Sequence, residues 1–137
     1  MAINTNPAFI MAPRVEWGTI TTANTAKDGT GTVVTVFTGE ATDGSLLRSV
    51  IFRPLGTNTA TVARIFLNNG STNATATNNT LIGEITLAAT TLSEVSATPH
   101  YEWSANNIWV PAGYKINITI GTTVAAGYAV TGVGGDF

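Results

Sequence analysis

The feature that most constrains this chain is a repeated alternation of apolar and polar residues over short stretches, broken by glycine-containing turns. The clearest stretch is 114–120, where three isoleucines occupy every second position between polar residues. Because successive side chains of a strand point to opposite faces, this period of two is typical of a half-buried β-strand. The pattern predicts about eight short strands, at 15–21, 31–38, 46–53, 60–67, 81–87, 100–104, 114–120 and 127–133, with a further short edge segment at 108–110.

Turn signals separate these stretches and define the fold class. Asp28-Gly29 and Asp43-Gly44 are Asp-Gly turns in which glycine supplies a positive φ, and Gly134-Gly135 ends the last predicted strand. No long stretch carries a helical apolar stripe, and the 25 threonines favour strands. We therefore predict an all-β fold, an antiparallel β-sandwich that is jelly-roll-like, with a small barrel as the alternative.

The chain of 137 residues has the length of one domain, and 44% of its residues are hydrophobic, which is enough for a core. Pro7 and Pro13 discourage regular structure near the amino terminus. We predict an extended N-terminal arm over residues 1–14 and a single β-sandwich domain over residues 15–137. Since an apolar arm outside a sandwich needs a surface to pack on, its last residues form the candidate assembly interface. They are Phe9, Ile10, Met11 and Arg14.

Charge is scarce in this chain, since 10% of the residues are charged and the net charge is −2, whereas roughly a quarter is usual. The six basic residues are scattered, which argues against nucleic-acid binding because phosphate neutralisation needs clustered Lys and Arg. No cysteine is present, which excludes disulfides and thiolate metal sites. A charge-poor surface opposes self-association weakly, so we predict a surface that is covered by neighbouring subunits.

Targeting signals are also lacking in the sequence. The amino-terminal residues do not combine a basic stretch with an apolar one, so we predict no signal peptide and expect synthesis in the host cytoplasm. No stretch approaches the roughly 18 apolar residues of a membrane span. Neither a membrane nor a nucleic acid is therefore expected as a partner.

Residues that could carry catalysis or bind a metal are few and dispersed. His100 is the only histidine, no Gly-x-Ser-x-Gly motif supplies a nucleophile, and one imidazole without thiols cannot form a zinc site. Asp28 and Asp43 belong to separate turns rather than to a calcium-binding loop. Nothing in the spacing of Glu84 and Glu102 indicates a catalytic carboxylate pair. We predict that the protein is not an enzyme and uses no cofactor or metal.

The three tryptophans, Trp17, Trp103 and Trp109, offer one alternative function, because exposed indole rings stack on sugars. In a small sandwich most aromatic side chains are buried in the core instead. Trp109 lies in a short segment between Asn107 and Pro111. It is therefore the candidate exposed aromatic.

Three stretches resemble small proteins encoded by tailed bacteriophages and prophages: TAKDGTG at 25–31, GTNTATVARIFLNNG at 56–70 and PAGYKINITIG at 111–121. The resemblance extends over about residues 17–137. It implies a structural virion protein of the head decoration, or cement, type, which is located on the outer head surface and stabilises the head by many-copy contacts. The implied partners are the major capsid protein lattice and the chain itself, as a homotrimer.

The resembling motifs are strand and turn motifs, so they imply no active-site residues. Two other virion roles remain open. One is a tail-fibre or spike domain that binds host-surface glycan, and the other is a tail-tube or neck structural component.

Overall fold

The computed structural model describes residues 10–137, and this part of the chain is all-β. Its eight strands are β1 (Ala12–Ile20), β2 (Val34–Thr38), β3 (Ser45–Pro54), β4 (Thr61–Asn68), β5 (Asn79–Leu87), β6 (Tyr101–Val110), β7 (Lys115–Ile120) and β8 (Tyr128–Asp136). One 3-10 turn, Ala76–Asn78, is the single helical segment in residues 10–137. Among these residues no helix has the length and apolar character of a membrane span.

The strands form two four-stranded antiparallel sheets. Sheet A has the order β1-β8-β3-β6, and sheet B has the order β2-β7-β4-β5. The pairing is nested, because β1 pairs with β8, β2 with β7, β3 with β6 and β4 with β5. Within the described part of the chain, β4 and β5 are the only consecutive strands that share a sheet. The predicted all-β antiparallel sandwich is confirmed.

The hydrophobic core lies between the two sheets. Ile116, Ile118 and Ile120 of β7 are fully buried, as the alternation predicts. Each large side chain of this kind contributes about 1.5–3 kcal/mol when it leaves water, which holds the sheets together without disulfides. The same cluster includes Val36, Phe37, Leu47, Val50, Phe52, Ile65, Leu87, Val110, Tyr128 and Val130.

Two strand boundaries differ from the prediction for local reasons. Segments 100–104 and 108–110 form one strand, β6, because Asn106 and Asn107 adopt φ of 52° and 59° and carry the chain through an irregularity opposite β3. Asparagine is enriched in this left-handed region. The last strand runs past Val133 to Asp136, because Gly134 lies where any Cβ would overlap the carbonyl of Leu46. Gly134 and Gly135 therefore permit the close approach of neighbouring residues to β8 and do not end the strand.

Strand β1 begins earlier than expected. Residues 12–14, which we predicted to lie in the arm, pair with β8, and the N–H of Met11 donates to the carbonyl oxygen of Asp136 at 2.8 Å. Pro13 is accommodated because β1 is an edge strand of sheet A. The rest of the predicted arm, including Phe9, lies outside the described residues.

Candidate functional site

Strand β1 turns its apolar side chains outward and its charged side chains inward, the reverse of the usual arrangement. Val15 is 51% exposed and Trp17 is 74% exposed. Arg14 and Glu16 instead reach toward β2 of sheet B, where they contact Phe37 and Thr38. A shift of one residue would exchange the two faces. The observed register therefore leaves a large aromatic side chain free to contact another molecule.

The register of sheet A places further apolar side chains beside Trp17. Trp17 is opposite Thr131, which is opposite Ile51, and Val15 is opposite Val133 in the neighbouring row. No other strand of residues 10–137 belongs to a layer on this side of the sheet. We name this surface the outer face of sheet A; it comprises Val15, Trp17, Leu46, Ile51, Trp109, Thr131 and Val133.

One corner of the outer face of sheet A is built by Trp109 and the start of the described chain. Trp109 is 52% exposed, and its ring lies 4.5 Å from the ring of Phe137. Leu46 separates Trp109 from Gly135 in the register. Ile10 lies over Gly135, where a Cβ would overlap its Cγ2 atom. Ile10 is 40% exposed and Met11 is 81% exposed, so two predicted interface residues extend the apolar surface at this corner.

Arg14, the fourth predicted interface residue, is engaged within its own chain. Its guanidinium donates to Asp136 Oδ2 at 3.3 Å and to the carbonyl oxygen of Thr38. It also forms ion pairs with Asp136 at 3.0 Å and with Glu16 at 3.4 Å. Glu16 in turn accepts the N–H of Thr38 at 2.9 Å. These contacts join β1 to β2 and hold the inverted register of β1. A role for Arg14 at an assembly interface stays a prediction.

Phe37 provides the apolar surface on which this charged group rests. The Arg14 guanidinium lies 4.5 Å from the centre of the Phe37 ring, within the range of a cation–π contact. The ring occupies space that Gly132 and Gly134 leave free on the inner side of β8, since a Cβ on either glycine would lie 3.1 Å from Phe37. The glycines of β8 thus allow a charged cluster and an aromatic ring to fit at one edge of the sandwich.

The outer face of sheet B differs in being polar and covered. By the regular β4–β7 register, Arg64 and Phe66 point away from the core. Arg64 donates to Glu84 at 2.9 Å, and its Nη1 atom is buried without a hydrogen-bond partner in the described residues. Phe66 is fully buried although it lies outside the core cluster. Sheet B therefore buries its outward aromatic ring within the chain, whereas Glu84 at its β5 edge stays 51% exposed.

Two connections, 21–33 and 69–78, are joined to each other beside sheet B by asparagine side chains. The Asn73 amide donates to the carbonyl oxygens of Gly29 and Gly31 at 3.2 and 2.8 Å. The Asn79 amide donates to the carbonyl oxygen of Asp28 at 3.1 Å. The amide donors thus substitute for a hydrophobic contact between two polar loops.

A polar cleft of about 190 Å³ lies between this loop pair and sheet B. Its walls include Thr35, Asn68, Asn73 and Asn117, with Lys115 as the charged residue. The Thr35 hydroxyl donates to Asn117 at 2.7 Å, which already uses one polar group of the wall. The wall of the cleft thus presents amides, hydroxyls and one lysine.

The residues tested for chemistry remain apart in the fold. Glu84 belongs to sheet B and is paired with Arg64, while Glu102 lies opposite Ile51 on sheet A. His100 precedes β6. Within residues 10–137, no group of three or more His, Cys, Asp and Glu side chains is positioned to hold a metal ion.

The carboxyl groups whose pKa values are shifted belong to turns. Backbone N–H groups of Asp43 and Thr42 donate to Glu40 and lower its pKa, and the hydroxyl and N–H of Thr30 lower the pKa of Asp28. Burial raises the pKa of the Tyr128 hydroxyl. These shifts follow from local hydrogen bonds and packing, and none of them occurs at the outer face of sheet A.

The structure thus brings Ile10, Met11 and Trp109 to one surface and places Arg14 in an internal cluster. The residue that the sequence analysis missed is Trp17, which is the most exposed tryptophan. Its signal was present in the alternation of Arg14-Val15-Glu16-Trp17, which specifies two faces but not which face points inward. No known protein family, curated protein or solved structure matches this chain, so the resemblance to phage virion proteins stays a prediction that rests on its sequence stretches.

Proposed function

We propose that this chain is a structural protein that acts through many-copy assembly, and that its setting is the outer head of a tailed bacteriophage, where it decorates the capsid lattice. The observation that carries the proposal is the outer face of sheet A. A sheet face that exposes several apolar side chains, among them a tryptophan that is 74% exposed, costs free energy in water and is typical of protein–protein contact. The contacts of many copies then add to a large stabilisation of the particle.

Two further features support a capsid setting. The nested strand pairing is the pairing that we infer for a jelly roll, an architecture found in viral capsid proteins and lectins. The chain also combines an absence of cysteine with a net charge of −2, which suits crowding of identical subunits outside a reducing cell. The proposed partners are accordingly the major capsid protein lattice and other copies of the chain.

Counting the protein in purified particles tests this proposal. Particles from cells that carry the gene are purified, and the ratio of this chain to the major capsid protein is measured by quantitative mass spectrometry. A ratio that corresponds to hundreds of copies per particle supports head decoration. A handful of copies, or absence from the particle, would contradict it, and a ring of the free protein in electron micrographs would favour a tail-tube or neck role.

A second candidate function is glycan binding by a tail-fibre or spike domain, and the exposure of Trp109 favours it. An aromatic ring that is 52% exposed and braced by Phe137 is suited to stacking on a sugar. The discriminating variant is Trp109→Ala. Loss of host adsorption with unchanged particle heat resistance supports glycan binding, and the opposite result supports decoration.

A further inference from the structure

We propose that the outer face of sheet A binds the outer face of sheet A in a second copy of this chain, so that the two copies form a two-fold dimer in place of the homotrimer that the resemblance implies. The inference rests on the proposed function and identifies the surface and the partner that assembly uses. It follows from the size of the face, from its charges and from the way sheets pack. Each of these points is independent of the phage setting.

The planar size of the face lies below the range of specific interfaces, and its protruding tryptophans bring the accessible area closer to it. Four strands at about 4.8 Å spacing and seven residues at about 3.3 Å give a planar footprint of roughly 400 Å² per copy. Two such footprints approach the lower range of about 1,200 Å² for specific interfaces. Trp17 and Trp109, at 74% and 52% exposure, stand out from this plane and raise the accessible area, since a tryptophan presents roughly 150–250 Å². Ile10 and Met11 extend the face at one corner.

The charges at one end of the face favour a copy of the same chain over a partner of opposite charge. Arg53 and Glu102 lie on this side of sheet A, where Glu102 shares the row of Trp17 and Ile51 and Arg53 lies in the next row. Neither of them forms an ion pair with another described residue. A surface that carries a positive and a negative charge is complementary to itself in an isologous contact. In such a contact a residue i of one copy meets a residue j of the other copy, and j of the first meets i of the second. A strongly acidic or basic partner would leave one of these charges unmatched.

The shape of the face also suits self-association. A β-sheet presents a gently twisted surface, and two such surfaces pack at about 10 Å with interdigitating side chains. The face is apolar along β1, β8 and β3, where Val15, Val133 and Ile51 lie, and it is charged at Glu102 on the opposite edge strand, β6, and at Arg53 in the next row. Trp17, at the β1 edge, is placed to fill a groove between strands of the other copy and is the expected energetic centre of the contact.

Sedimentation of the full chain tests the proposal. Wild type is expected to sediment as a dimer and to dissociate on dilution across about 1–100 μM. Trp17→Glu is expected to raise the dissociation constant at least about 30-fold. The matched control Leu92→Glu places the same charge on a side chain of similar exposure, 55%, in the connection between β5 and β6, and it is expected to leave association unchanged. Circular dichroism and melting confirm that each variant is folded.

A second measurement uses the absence of cysteine in the chain. Val15→Cys places one thiol on the outer face of sheet A, and Thr86→Cys places one on exposed β5 in sheet B. Alkylation of Val15→Cys is expected to be slow at high protein concentration and to accelerate on dilution. Alkylation of Thr86→Cys is expected to be fast at every concentration.

A monomeric wild type overturns the proposal, and so does association that survives Trp17→Glu as well as it survives Leu92→Glu. A monomer in which Val15→Cys is protected would instead show that another segment of the same chain covers the face. These outcomes are separate from the particle count. A monomeric chain present in hundreds of copies would overturn this inference alone, whereas an oligomeric chain absent from particles would overturn the proposed function alone.

Discussion

The outward faces of the two sheets differ in how they accommodate a large aromatic side chain. Each sheet has four strands, and each places a large aromatic side chain on the face that points away from the core. On sheet B, Phe66 is fully buried, whereas on sheet A, Trp17 is 74% exposed. The same type of residue in the same type of position is therefore covered on one sheet and left in water on the other.

The difference has a structural cause in the connections. Beside sheet B, the amides of Asn73 and Asn79 tie two connections together, and Arg64 on its outer face is paired with Glu84. Sheet A has no comparable layer among residues 10–137, and the charged residues of β1, Arg14 and Glu16, are turned inward. Sheet B buries its outward aromatic ring within one chain. Sheet A leaves its outward tryptophan in water, and this is the surface that we propose for self-association.

The largest expected effect separates the two aromatic side chains. Phe66→Ala should lower the free energy of unfolding by about 3–5 kcal/mol, because it removes a fully buried ring and leaves a cavity. Trp17→Ala should change the stability of the monomer by less than about 0.5 kcal/mol, since most of its surface is already in water. Urea unfolding measured at a protein concentration where the chain is monomeric provides both values.

Sedimentation completes this comparison. Trp17→Ala should weaken association, whereas Phe66→Ala, where it remains folded, should leave association intact. Equal destabilisation by the two substitutions would mean that the outer face of sheet A is as well covered as that of sheet B, and the contrast between the sheets would then be lost.

The two arginines provide the next test. Arg14→Met should cost about 1–3 kcal/mol, because it leaves the carboxylates of Glu16 and Asp136 without their cation, and the Asp136 side chain is 16% exposed. Arg64→Met should cost no more than about 1 kcal/mol, since its partner Glu84 is 51% exposed and the substitution removes a buried donor that has no partner. Chemical denaturation measures both changes.

Hydrogen exchange shows whether Arg14→Met destabilises β1 locally or the whole domain. Because Arg14 holds the inverted register of β1, its loss should speed exchange of amides in β1 more than in β4. Uniform protection in the Arg14→Met variant would show that the register of β1 does not depend on this cluster.

Much of the fold could be predicted from the sequence because β7 alternates regularly between apolar and polar residues, and the structure pairs it with β4 in an uninterrupted register. The residues of sheet A that face the core were harder to predict from the sequence, because Arg48 is an extra residue that shifts the register of β3. A strict period of two from Leu47 would place Ile51 inward, but the irregularity turns Ile51 to the outer face. The partner irregularity at Asn106 and Asn107 has no strong local signal, since asparagine is equally common in ordinary turns.

The candidate site could be predicted only in part from the sequence, for a related reason. An alternation of Arg14 and Glu16 with Val15 and Trp17 ordinarily predicts that the apolar pair is buried. The reverse occurs because the partners of Arg14 come from far along the chain: Thr38 is 24 residues away and Asp136 is 122 residues away. Local patterns do not contain such pairs. Trp109, the candidate exposed aromatic of the sequence analysis, is 52% exposed because it lies in β6 and points to the outer face of sheet A, not because it lies in a short segment between turns.

A smaller effect is expected from the amide bridge beside sheet B. Asn73→Ala should cost about 1–2 kcal/mol, because it removes two hydrogen bonds to the carbonyl oxygens of Gly29 and Gly31. Asn69→Ala is the matched control, since its exposed amide bonds to Asn78 near the ends of a single connection. Thermal unfolding should rank the two variants in this order, and neither should alter sedimentation. An Asn73→Ala variant with altered association would place the functional surface on sheet B instead.

The smallest expected effect concerns pH and the turn that leads from sheet B to sheet A. The N–H groups of Thr42 and Asp43 donate to Glu40 at 2.9 and 2.8 Å and lower its pKa. Because the pKa is lower in the folded state than in the unfolded chain, the stabilisation is present at neutral pH and is lost as the pH falls through the lowered value. Wild type should therefore lose slightly more stability than Glu40→Gln when urea unfolding is compared at about pH 7 and about pH 3. The turn adjoins Trp109, since a Cβ on Gly44 would lie 3.0 Å from its Nε1 atom. Equal pH dependence of wild type and Glu40→Gln would show that these hydrogen bonds of the turn do not contribute to the loss of stability in acid.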